Sequence, residues 1–273
     1  MEQLENFIRR LIPKGVVIAF SGGVDSSLLL KVASIEGKKI GADVYAVTFE
    51  TKLHPQADLE IAKQIAKNTE VIHDIIFIDE LTKTEILKNP IDRCYHCKRF
   101  LFEELIKYAK QHNLKYIIDG TNVDDLSQYR PGIKALNELG IISPLAQLKI
   151  DKATVRKYAK KLGLNVHNRP SAPCLATRIP YNIKLDMEIL KNIDKAETFL
   201  KELGFVKNRV RLHKNIIRIE VDRKDIYAIM ECSDKIIKYF KGLGFLYITL
   251  DLEGFRSGSM DIHLLNGDKN GYK

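Results

Sequence analysis

A continuous apolar run close to the N-terminus places the strongest constraint on the fold. Residues 15–20 (Gly-Val-Val-Ile-Ala-Phe) contain no polar side chain, which is typical of a parallel strand buried on both faces. Further strands are predicted at 43–48, 71–78 and 115–119. Helices are predicted at about 2–11, 28–35, 55–67 and 97–112. Strands that alternate with helices at these spacings predict an α/β fold with a doubly wound parallel sheet.

The pattern changes after about residue 180. A long helix, two strand-like runs, two more helices and a last strand are predicted at about 186–203, 208–213, 216–221, 223–230, 233–241 and 246–250. A proline-rich stretch from Arg169 to Pro180 precedes them and is typical of a junction. We therefore predict a larger α/β domain at 1–180 and a small α+β domain at 181–273.

The composition limits the environment and the partners of the chain. Hydrophobic residues make up 45% and charged residues 29%, which is ordinary for a soluble globular protein. No apolar run reaches the roughly 18 residues that span a bilayer, and the N-terminus lacks the pattern of a secretory signal. We expect no membrane segment and a cytoplasmic location. The net charge of +9 favours partners with phosphate or carboxylate groups, and a tRNA fits it as well as an anionic nucleotide.

A loop rich in glycine and serine follows the first predicted strand and precedes a helix. Its two glycines let the backbone approach a ligand closely, and the helix N-terminus behind them offers N–H donors that suit phosphate. No Gly-Lys-Ser/Thr ending is present, so the loop differs from those that transfer a γ-phosphoryl group. The predicted nucleotide-binding residues of the loop are Ser21, Gly22, Gly23, Asp25, Ser26 and Ser27.

Polar residues after other strands are expected at the same edge of the sheet. Thr48 ends the second strand, and Gly120–Asp125 follows the fourth. Because open parallel sheets bind ligands at the carboxyl ends of their strands, we add Thr48 and Asn122 to the nucleotide site. Asp25 is a candidate Mg²⁺ ligand, and Asp125 is a candidate ligand for a second Mg²⁺. The alternatives are that Asp25 only structures its loop and that Asp125 only caps a helix.

Three cysteines suggest a cluster or metal site. Cys94 and Cys97 form a Cys-x-x-Cys pair, and Cys174 is a distant third cysteine. Three thiolates would leave one iron of an iron–sulfur cluster open to an exchangeable ligand. His96 would instead complete a four-ligand zinc set. Two buried cysteines at the start of a helix are the simpler alternative for the pair.

Cys174 is also a candidate nucleophile. It lies in the string Ala-Pro-Cys-Leu-Ala-Thr-Arg, where Arg169 and Arg178 would favour its thiolate form. A thiolate that faces an adenylated carbonyl group is a competent nucleophile, so Cys174 is a predicted catalytic residue together with Asp25. The alternative is an inert buried cysteine. Cys232, near a predicted helix end, has no such setting and is assigned no role.

Two resemblances follow from these motifs. The Ser-Gly-Gly-x-Asp-Ser-Ser string after an apolar strand resembles the PP-loop of ATP pyrophosphatases, which cleave ATP between the α- and β-phosphates and adenylate a substrate oxygen. Longer stretches resemble the LarE-type ATP-dependent sacrificial sulfur transferases. They are residues 20–27, 93–98, 119–125, 129–132, 143–145, 173–181, 209–211 and 249–259. The Pro-Cys-Leu-Ala-Thr-Arg string and the later Arg-Ser-Gly-Ser string are the most specific of them.

The resemblance to the LarE-type family implies a reaction. Members adenylate the carboxylates of pyridinium-3,5-biscarboxylic acid mononucleotide and replace oxygen with sulfur, which makes the organic part of a nickel-pincer nucleotide. It implies ATP and Mg²⁺ as requirements and Cys174 as the sulfur donor, left as dehydroalanine after each transfer. Some members instead hold a [4Fe–4S] cluster on three cysteines and deliver an extra sulfide, and Cys94, Cys97 and Cys174 match that set by residue type and spacing.

The same resemblance gives the small domain a role in substrate binding and oligomerisation. It places the substrate phosphate near arginines, which suit bidentate phosphate recognition. The residues that match are Arg209, Arg211 and Arg256, and we add Arg178, which follows Cys174 by four positions. A solvated strand face is the alternative for Arg209 and Arg211. The resemblance also implies a homohexamer. One small departure from the family pattern is Asn182, which stands where members commonly have glycine, and asparagine tolerates the left-handed region.

Three other functions fit part of the sequence. A PP-loop tRNA thiolase fits the basic charge and the three cysteines, although it typically adds an RNA-binding segment that we do not find. An ammonia-dependent adenylating ligase of the NAD synthetase type would need no cysteines. A non-catalytic nucleotide sensor would need neither Asp25 nor Cys174.

Overall fold

The computed structural model describes residues 1–127, 130–168, 173–256 and 258–260, which fall into two compact units. The first unit contains Met1–Leu87 and Ile91–Pro173, and the second contains Lys88–Pro90 and the chain from Cys174 onward. The sequence-based boundary at residue 180 had placed Cys174 in the larger domain, whereas here it opens the second unit.

Hydrogen bonds explain this division. Asn89 is fully buried, and its side chain donates to the backbone oxygen of Pro180 at 2.9 Å. Its own carbonyl oxygen accepts from the N–H of Asn182 at 2.8 Å. Arg178 pairs with Glu197 within the second unit. No local pattern predicts that three residues near position 89 belong with the C-terminal part of the chain.

The first unit is built on a parallel sheet with helices on both faces. Its strands are β1 (Val16–Ala19), β2 (Tyr45–Thr51), β3 (Ile72–Ile78) and β4 (Tyr116–Ile118), in the order β3-β2-β1-β4. Its helices are α1 (Glu2–Leu11), α2 (Val24–Ile40), α3 (Gln56–Lys67), α4 (Thr84–Leu87), α5 (Arg93–Gln111), α6 (Val123–Leu126), α7 (Pro131–Glu138), α8 (Pro144–Gln147) and α9 (Lys152–Lys161). Every predicted strand of this unit is present, and α2 and α5 begin earlier in the chain than predicted.

Two apolar cores lie on opposite faces of this sheet. Ile18 of β1 packs in one core with side chains of α1, α2 and α9. Val17, its neighbour in the strand, packs in the other core with Leu105 of α5 and Leu136 of α7. Successive side chains of a strand point to opposite faces, so an unbroken apolar run contributes side chains to both cores. The prediction of a doubly wound α/β fold is confirmed.

The strand order also locates a ligand crevice. The chain runs from β1 outward to β2 and β3, and then crosses to β4 on the other side of β1. The loops after β1 and β4 therefore leave the sheet in opposite directions, which opens a crevice at the carboxyl ends of these two strands. The glycine- and serine-rich loop follows one of them, and residues 119–125 follow the other.

The second unit is α+β, as predicted. Strand β5 (Asn208–His213) pairs antiparallel with β6 (Ile216–Val221), which pairs parallel with β7 (Tyr247–Leu250). The helices are α10 (Met187–Glu202), α11 (Ile226–Glu231) and α12 (Ser233–Gly242), and α10 packs against β5. Asn182 has a φ of 64°, which lies in the left-handed region that asparagine tolerates. Within the described ranges, no helix combines the length and the apolar character that crossing a bilayer requires.

Candidate active site

The loop after β1 is closed by its own serines. The backbone N–H of Ser21 donates to Ser26 Oγ at 3.3 Å, and Ser26 Oγ donates to the Gly23 carbonyl oxygen at 3.2 Å. Helix α2 begins directly afterwards with Gly23 as its N-cap, so the N–H groups of its first turn lie at the loop. Ser27 Oγ is fully buried and has no hydrogen-bond partner among the described residues. The hydrogen bonds of Ser26 therefore hold the loop at the start of α2.

The conformation of Gly22 strongly favours glycine. Its φ of +68° lies in the left-handed region, and a Cβ there would approach the backbone of Ala62 in α3 to 3.1 Å. The sequence prediction rested on the freedom of glycine to approach a ligand. The structure adds that the neighbouring helix also excludes a side chain.

Thr48 holds Phe20, the residue before this loop, in place through a hydrogen bond. Its Oγ1 donates to the Phe20 carbonyl oxygen at 2.7 Å and lies 2.8 Å from His73 Nε2. Because the threonine hydrogen is used toward Phe20, His73 Nε2 carries the hydrogen of the second bond. Burial lowers the pKa of His73, which favours the neutral ring. Sequence reasoning predicted Thr48 and missed His73, since a single histidine in an apolar strand gives no signal.

The loop after β4 carries a capping box. Asn122 Oδ1 accepts from the N–H groups of Asp124 and Asp125 at 3.0 and 3.3 Å, and Asp125 Oδ2 accepts from the Asn122 N–H at 3.1 Å. The other oxygen of Asp125 pairs with Arg130 at 3.0 Å. Asp125 therefore caps α6, the alternative role that its position in the sequence predicted, and Mg²⁺ ligation by Asp125 remains a prediction.

Asp25 is the carboxylate on which the two loops converge. Asn122 Nδ2 donates to Asp25 Oδ1 at 3.1 Å, and the Lys152 ammonium donates to Asp25 Oδ2. A Cβ at Gly120 would lie 3.0 Å from the Ser26 nitrogen, so the loops are in close contact. Sequence reasoning missed Lys152, which follows Asp25 by 127 residues.

Asp25 fits a role as an Mg²⁺ ligand beside bound ATP. Its side chain is 17% exposed and carries oxygen donors, and Mg²⁺ in nucleotide sites commonly takes one or two carboxylates together with substrate phosphates and water. The described residues contain no group of three or more His, Cys, Asp or Glu side chains placed to hold a metal ion. The donor set for Mg²⁺ would therefore include the phosphates themselves.

Cys94 and Cys97 lie near the start of α5, three residues apart and on one helix face. Both are partly exposed, and Cys94 Sγ accepts from Arg93 Nη2 at 3.6 Å. The third cysteine of the predicted set, Cys174, belongs to the second unit. Cys97 also packs against the apolar core beneath α5, and ligation of a metal or cluster by the three cysteines remains a prediction.

Cys174 stands at the start of a short 3₁₀ helix, Leu175–Arg178, with its backbone held in place. Its carbonyl oxygen accepts from Thr177 Oγ1 at 2.8 Å and from Arg178 Nη1 at 3.2 Å. Its side chain is partly exposed. Arg169, the other predicted neighbour, lies outside the described residues.

Two of the four predicted phosphate-binding arginines are buried in ion pairs. Arg178 is 2% exposed, and both oxygens of Glu197 accept from it, at 2.8 and 2.9 Å. Burial opposes the charge of Arg178, but the Glu197 carboxylate outweighs it and the pKa is raised. Arg211 is 5% exposed and donates to Glu220 at 2.7 Å. Both guanidinium groups therefore stabilise the second unit.

The other two arginines are more accessible. Arg209 is partly exposed, and its guanidinium lies 5.1 Å from the centre of the Phe255 ring. Burial, with the positive charge of Arg178, lowers the pKa of Arg209 to about 10. Arg256 pairs with Glu253 at 2.7 Å.

Sequence reasoning missed a fifth arginine. Arg218 of β6 is the register partner of Arg211 and lies 3.0 Å from Glu220 and 3.5 Å from Asp251. The signal was available, because Arg218 interrupts an apolar run in a predicted strand. It was overlooked because the family motifs did not contain it.

Comparison with known proteins decides the family. A family model described as queuosine biosynthesis protein QueC matches residues 15–95, which include the loop after β1. An uncharacterised protein of Synechocystis is 37% identical over 96% of this chain and 96% of its own length. An uncharacterised protein of Methanocaldococcus jannaschii is 37% identical over 89% of this chain and 92% of its own. The pyridinium-3,5-bisthiocarboxylic acid mononucleotide synthase of Lactiplantibacillus plantarum is 34% identical over 90% of this chain and 88% of its own.

The chain belongs to the LarE-type family. Its first unit has the fold expected of a PP-loop protein. The loop that resembles the PP-loop lies at the crevice between the carboxyl ends of β1 and β4. The fold brings Ser21, Asp25 and Asn122 together in the first unit. In the second unit it groups the predicted arginines with Arg218 and their acidic partners.

Proposed function

We propose that this protein is an ATP-dependent sulfur transferase that converts pyridinium-3,5-biscarboxylic acid mononucleotide into the bisthiocarboxylic acid mononucleotide for nickel-pincer cofactor synthesis. The similarity to the Lactiplantibacillus plantarum synthase extends over both units and supports this assignment. The observation that supports it most strongly is the position of the glycine- and serine-rich loop at the crevice between the carboxyl ends of β1 and β4. There, Asn122 of the facing loop donates a hydrogen bond to Asp25.

The first step is adenylation. A substrate carboxylate oxygen attacks the α-phosphorus of ATP, the bond to the bridging oxygen breaks, and pyrophosphate leaves with the electron pair. The N–H groups at the start of α2 would hold the pyrophosphate, because a helix N-terminus favours anions. Mg²⁺, held by Asp25 and the phosphates, would neutralise phosphate charge. Adenylation is needed because hydroxide is a poor leaving group and AMP is a good one.

The second step uses Cys174. Its thiolate attacks the carbonyl carbon, and AMP leaves with the electrons of the C–O bond, so a thioester forms. Removal of the α-proton of Cys174 then breaks the Cβ–S bond, with its electrons going to sulfur. The products are a thiocarboxylate and dehydroalanine at position 174. The fixed backbone of Cys174 supports this role, since a nucleophile acts best from a defined position.

A cluster-bound sulfide is the second candidate source of sulfur. The observation in its favour is the placement of Cys94 and Cys97 on one face of α5. In this version Cys94, Cys97 and Cys174 would hold a [4Fe–4S] cluster that supplies the sulfide, and Cys174 would not be consumed.

Arg209 and Arg256 are the proposed contacts for the substrate phosphate, because Arg178 and Arg211 are buried in ion pairs. A cytoplasmic location suits a reaction that needs ATP and reduced thiols. The homohexamer implied by family resemblance remains part of the proposal.

Intact-mass measurement tests the assignment. Protein purified without oxygen is incubated with ATP, Mg²⁺ and the dicarboxylate nucleotide, and AMP and thioacid are measured as well. Loss of the elements of H₂S, mapped to position 174, would support the sacrificial route, and thioacid with an unchanged chain mass would support the cluster.

Cys174→Ala should retain adenylation and form no thioacid, whereas the matched variant Cys232→Ala should behave as wild type. If wild-type protein forms neither AMP nor thioacid, the proposed function is wrong.

A further inference from the structure

Asn89 lies in a three-residue excursion of the chain. Residues 88–90 belong to the second unit, although the chain on both sides of them belongs to the first. Asn89 is fully buried, and its φ of 54° lies in the left-handed region. A residue that precedes a proline normally takes an extended backbone with a negative φ, so Pro90 makes this conformation less favourable still. Such conformations persist only where surrounding contacts enforce them, and they cluster at functional sites.

The contacts of Asn89 fall on the turn that follows the 3₁₀ helix Leu175–Arg178. Its side-chain amide donates to the carbonyl oxygen of Pro180 at 2.9 Å and to that of Ile179 at 3.4 Å. Its own carbonyl oxygen accepts from the N–H of Asn182 at 2.8 Å. Ile179 and Pro180 are buried, and a buried carbonyl oxygen without a donor is costly. Asn89 therefore holds both ends of this turn.

The turn is joined by hydrogen bonds to the backbone of Cys174. The N–H of Ile179 donates to the Ala176 carbonyl oxygen at 3.2 Å, which links the turn to the 3₁₀ helix. The N–H of Thr177 donates to the Cys174 carbonyl oxygen at 3.1 Å, which links the helix to the candidate nucleophile. Residues 174–182 thus form one hydrogen-bonded stretch, and a displacement of the turn is passed on to Cys174.

We propose that Asn89 is a positioning residue for Cys174 in the sulfur-transfer step. The ion pair of Arg178 with Glu197 fixes the middle of the stretch, and Asn89 fixes its far end. Together they keep the sulfur atom of Cys174 at the place where it acts, either as the attacking thiolate or as a cluster ligand. The inference rests on the proposed function for the reaction, and it gives Asn89 no contact with the substrate.

Single-turnover kinetics separate positioning from a general structural role. Asn89→Gly accommodates the left-handed backbone and removes only the side-chain amide. With ATP, Mg²⁺ and the dicarboxylate nucleotide, this variant should release pyrophosphate at the wild-type rate. It should form thioacid about tenfold or more slowly, because a small misplacement of a reacting group has a large effect on rate. The KM for the dicarboxylate nucleotide should stay at the wild-type value.

Two further variants sharpen this test. Asn89→Asp places a carboxylate oxygen against the Pro180 carbonyl oxygen where the amide donated, so it should slow thioacid formation further. The matched control is Asn113→Gly, because Asn113 is an exposed asparagine with nearly the same φ, 56°. This control should form thioacid at the wild-type rate.

Hydrogen exchange gives a second test in wild-type protein. The N–H of Asn182 should exchange slowly relative to an unstructured peptide, because it is hydrogen-bonded to the buried Asn89. Fast exchange at Asn182 would overturn the proposal, and so would a wild-type rate of thioacid formation in Asn89→Gly. Parallel losses of pyrophosphate release and thioacid formation in that variant would overturn it as well. Failure of wild-type protein to release pyrophosphate with the dicarboxylate nucleotide would instead overturn the proposed function.

Discussion

Arg178 carries a charge that is almost entirely removed from water. Its side chain is 2% exposed and that of Glu197 is 3% exposed. Two buried charges are tolerable only when their geometry and hydrogen bonds are complete. Here Glu197 Oε1 also accepts from the backbone N–H of Val210 at 3.0 Å, so the pair links the segment after Cys174 to both α10 and β5. Arg178 thereby positions the backbone of the candidate nucleophile.

Breaking this pair should be costly. Arg178→Met is expected to lower the free energy of unfolding by about 3–5 kcal/mol, because it leaves the Glu197 carboxylate buried without its partner. The double variant Arg178→Met/Glu197→Leu should recover much of that loss, since it removes both charges. Urea denaturation measures each value.

The exposed pair of Lys207 and Asp222, 3.6 Å apart, supplies the control. Lys207→Met should change stability little, because surface ion pairs contribute about 0–1 kcal/mol. An Arg178→Met variant with wild-type stability and weakened substrate binding would contradict the structural role. Such a result would instead support phosphate binding by Arg178.

At the scale of elements, the loop between β1 and α2 depends on its contact with a third element. Gly22 and Gly41 have nearly the same φ, +68° and +65°. A Cβ at Gly22 would meet α3, whereas a Cβ at Gly41 would meet nothing within 4 Å. The two glycines therefore share the backbone requirement and differ only in the space beside them.

Gly22→Ala should lower both stability and nucleotide affinity. Each alanine carries the strain of the left-handed region, about 1–2 kcal/mol, and Gly22→Ala must also push α3 or the loop aside. We expect Gly41→Ala to lower the melting temperature but to keep the wild-type affinity for α,β-methylene ATP. Calorimetric binding and thermal unfolding of both variants measure this. Equal nucleotide affinity of the two variants would contradict the loop-packing argument.

Strand positions could be predicted from the sequence, and helix positions only in part. Strand-forming runs located the seven strands of the described ranges because residue patterning is local information. Helices α4 and α6 to α9 were not predicted. The starts of α2 and α5 were predicted too late. Helix α2 starts at Val24, where Gly23 caps a turn that polar serines close, and α5 takes in both cysteines of the Cys-x-x-Cys pair. Polar residues in a first turn weaken the apolar periodicity from which a helix start is predicted.

At the scale of the whole molecule, buried histidines couple stability to pH. Burial, with the positive charges of Arg218 and Arg211, lowers the pKa of His213 from 6.5 to about 4. The unfolded chain therefore binds a proton at His213 between these two values while the folded chain does not. The stability contribution of the neutral ring is complete above about pH 6.5 and is lost as the pH falls toward 4.

The melting temperature should accordingly fall between pH 6.5 and pH 4. His213→Gln should make this fall shallower, and the remaining slope should include His73, whose pKa burial also lowers. Thermal unfolding across this range measures the effect. A variant whose melting temperature depends on pH as steeply as wild type would show that His213 does not contribute.

The sequence alone determined the parts of this protein that depend on neighbouring residues. They are the alternation of strands and helices, the glycine- and serine-rich loop at the end of β1 and the family motifs. Only the tertiary structure decided which charged side chains meet. Lys152 reaches Asp25 across 127 residues of chain, and Arg178 faces Glu197 across 19. Periodicity and motifs report on the local chain, whereas an ion pair forms wherever folding places two side chains within hydrogen-bond distance.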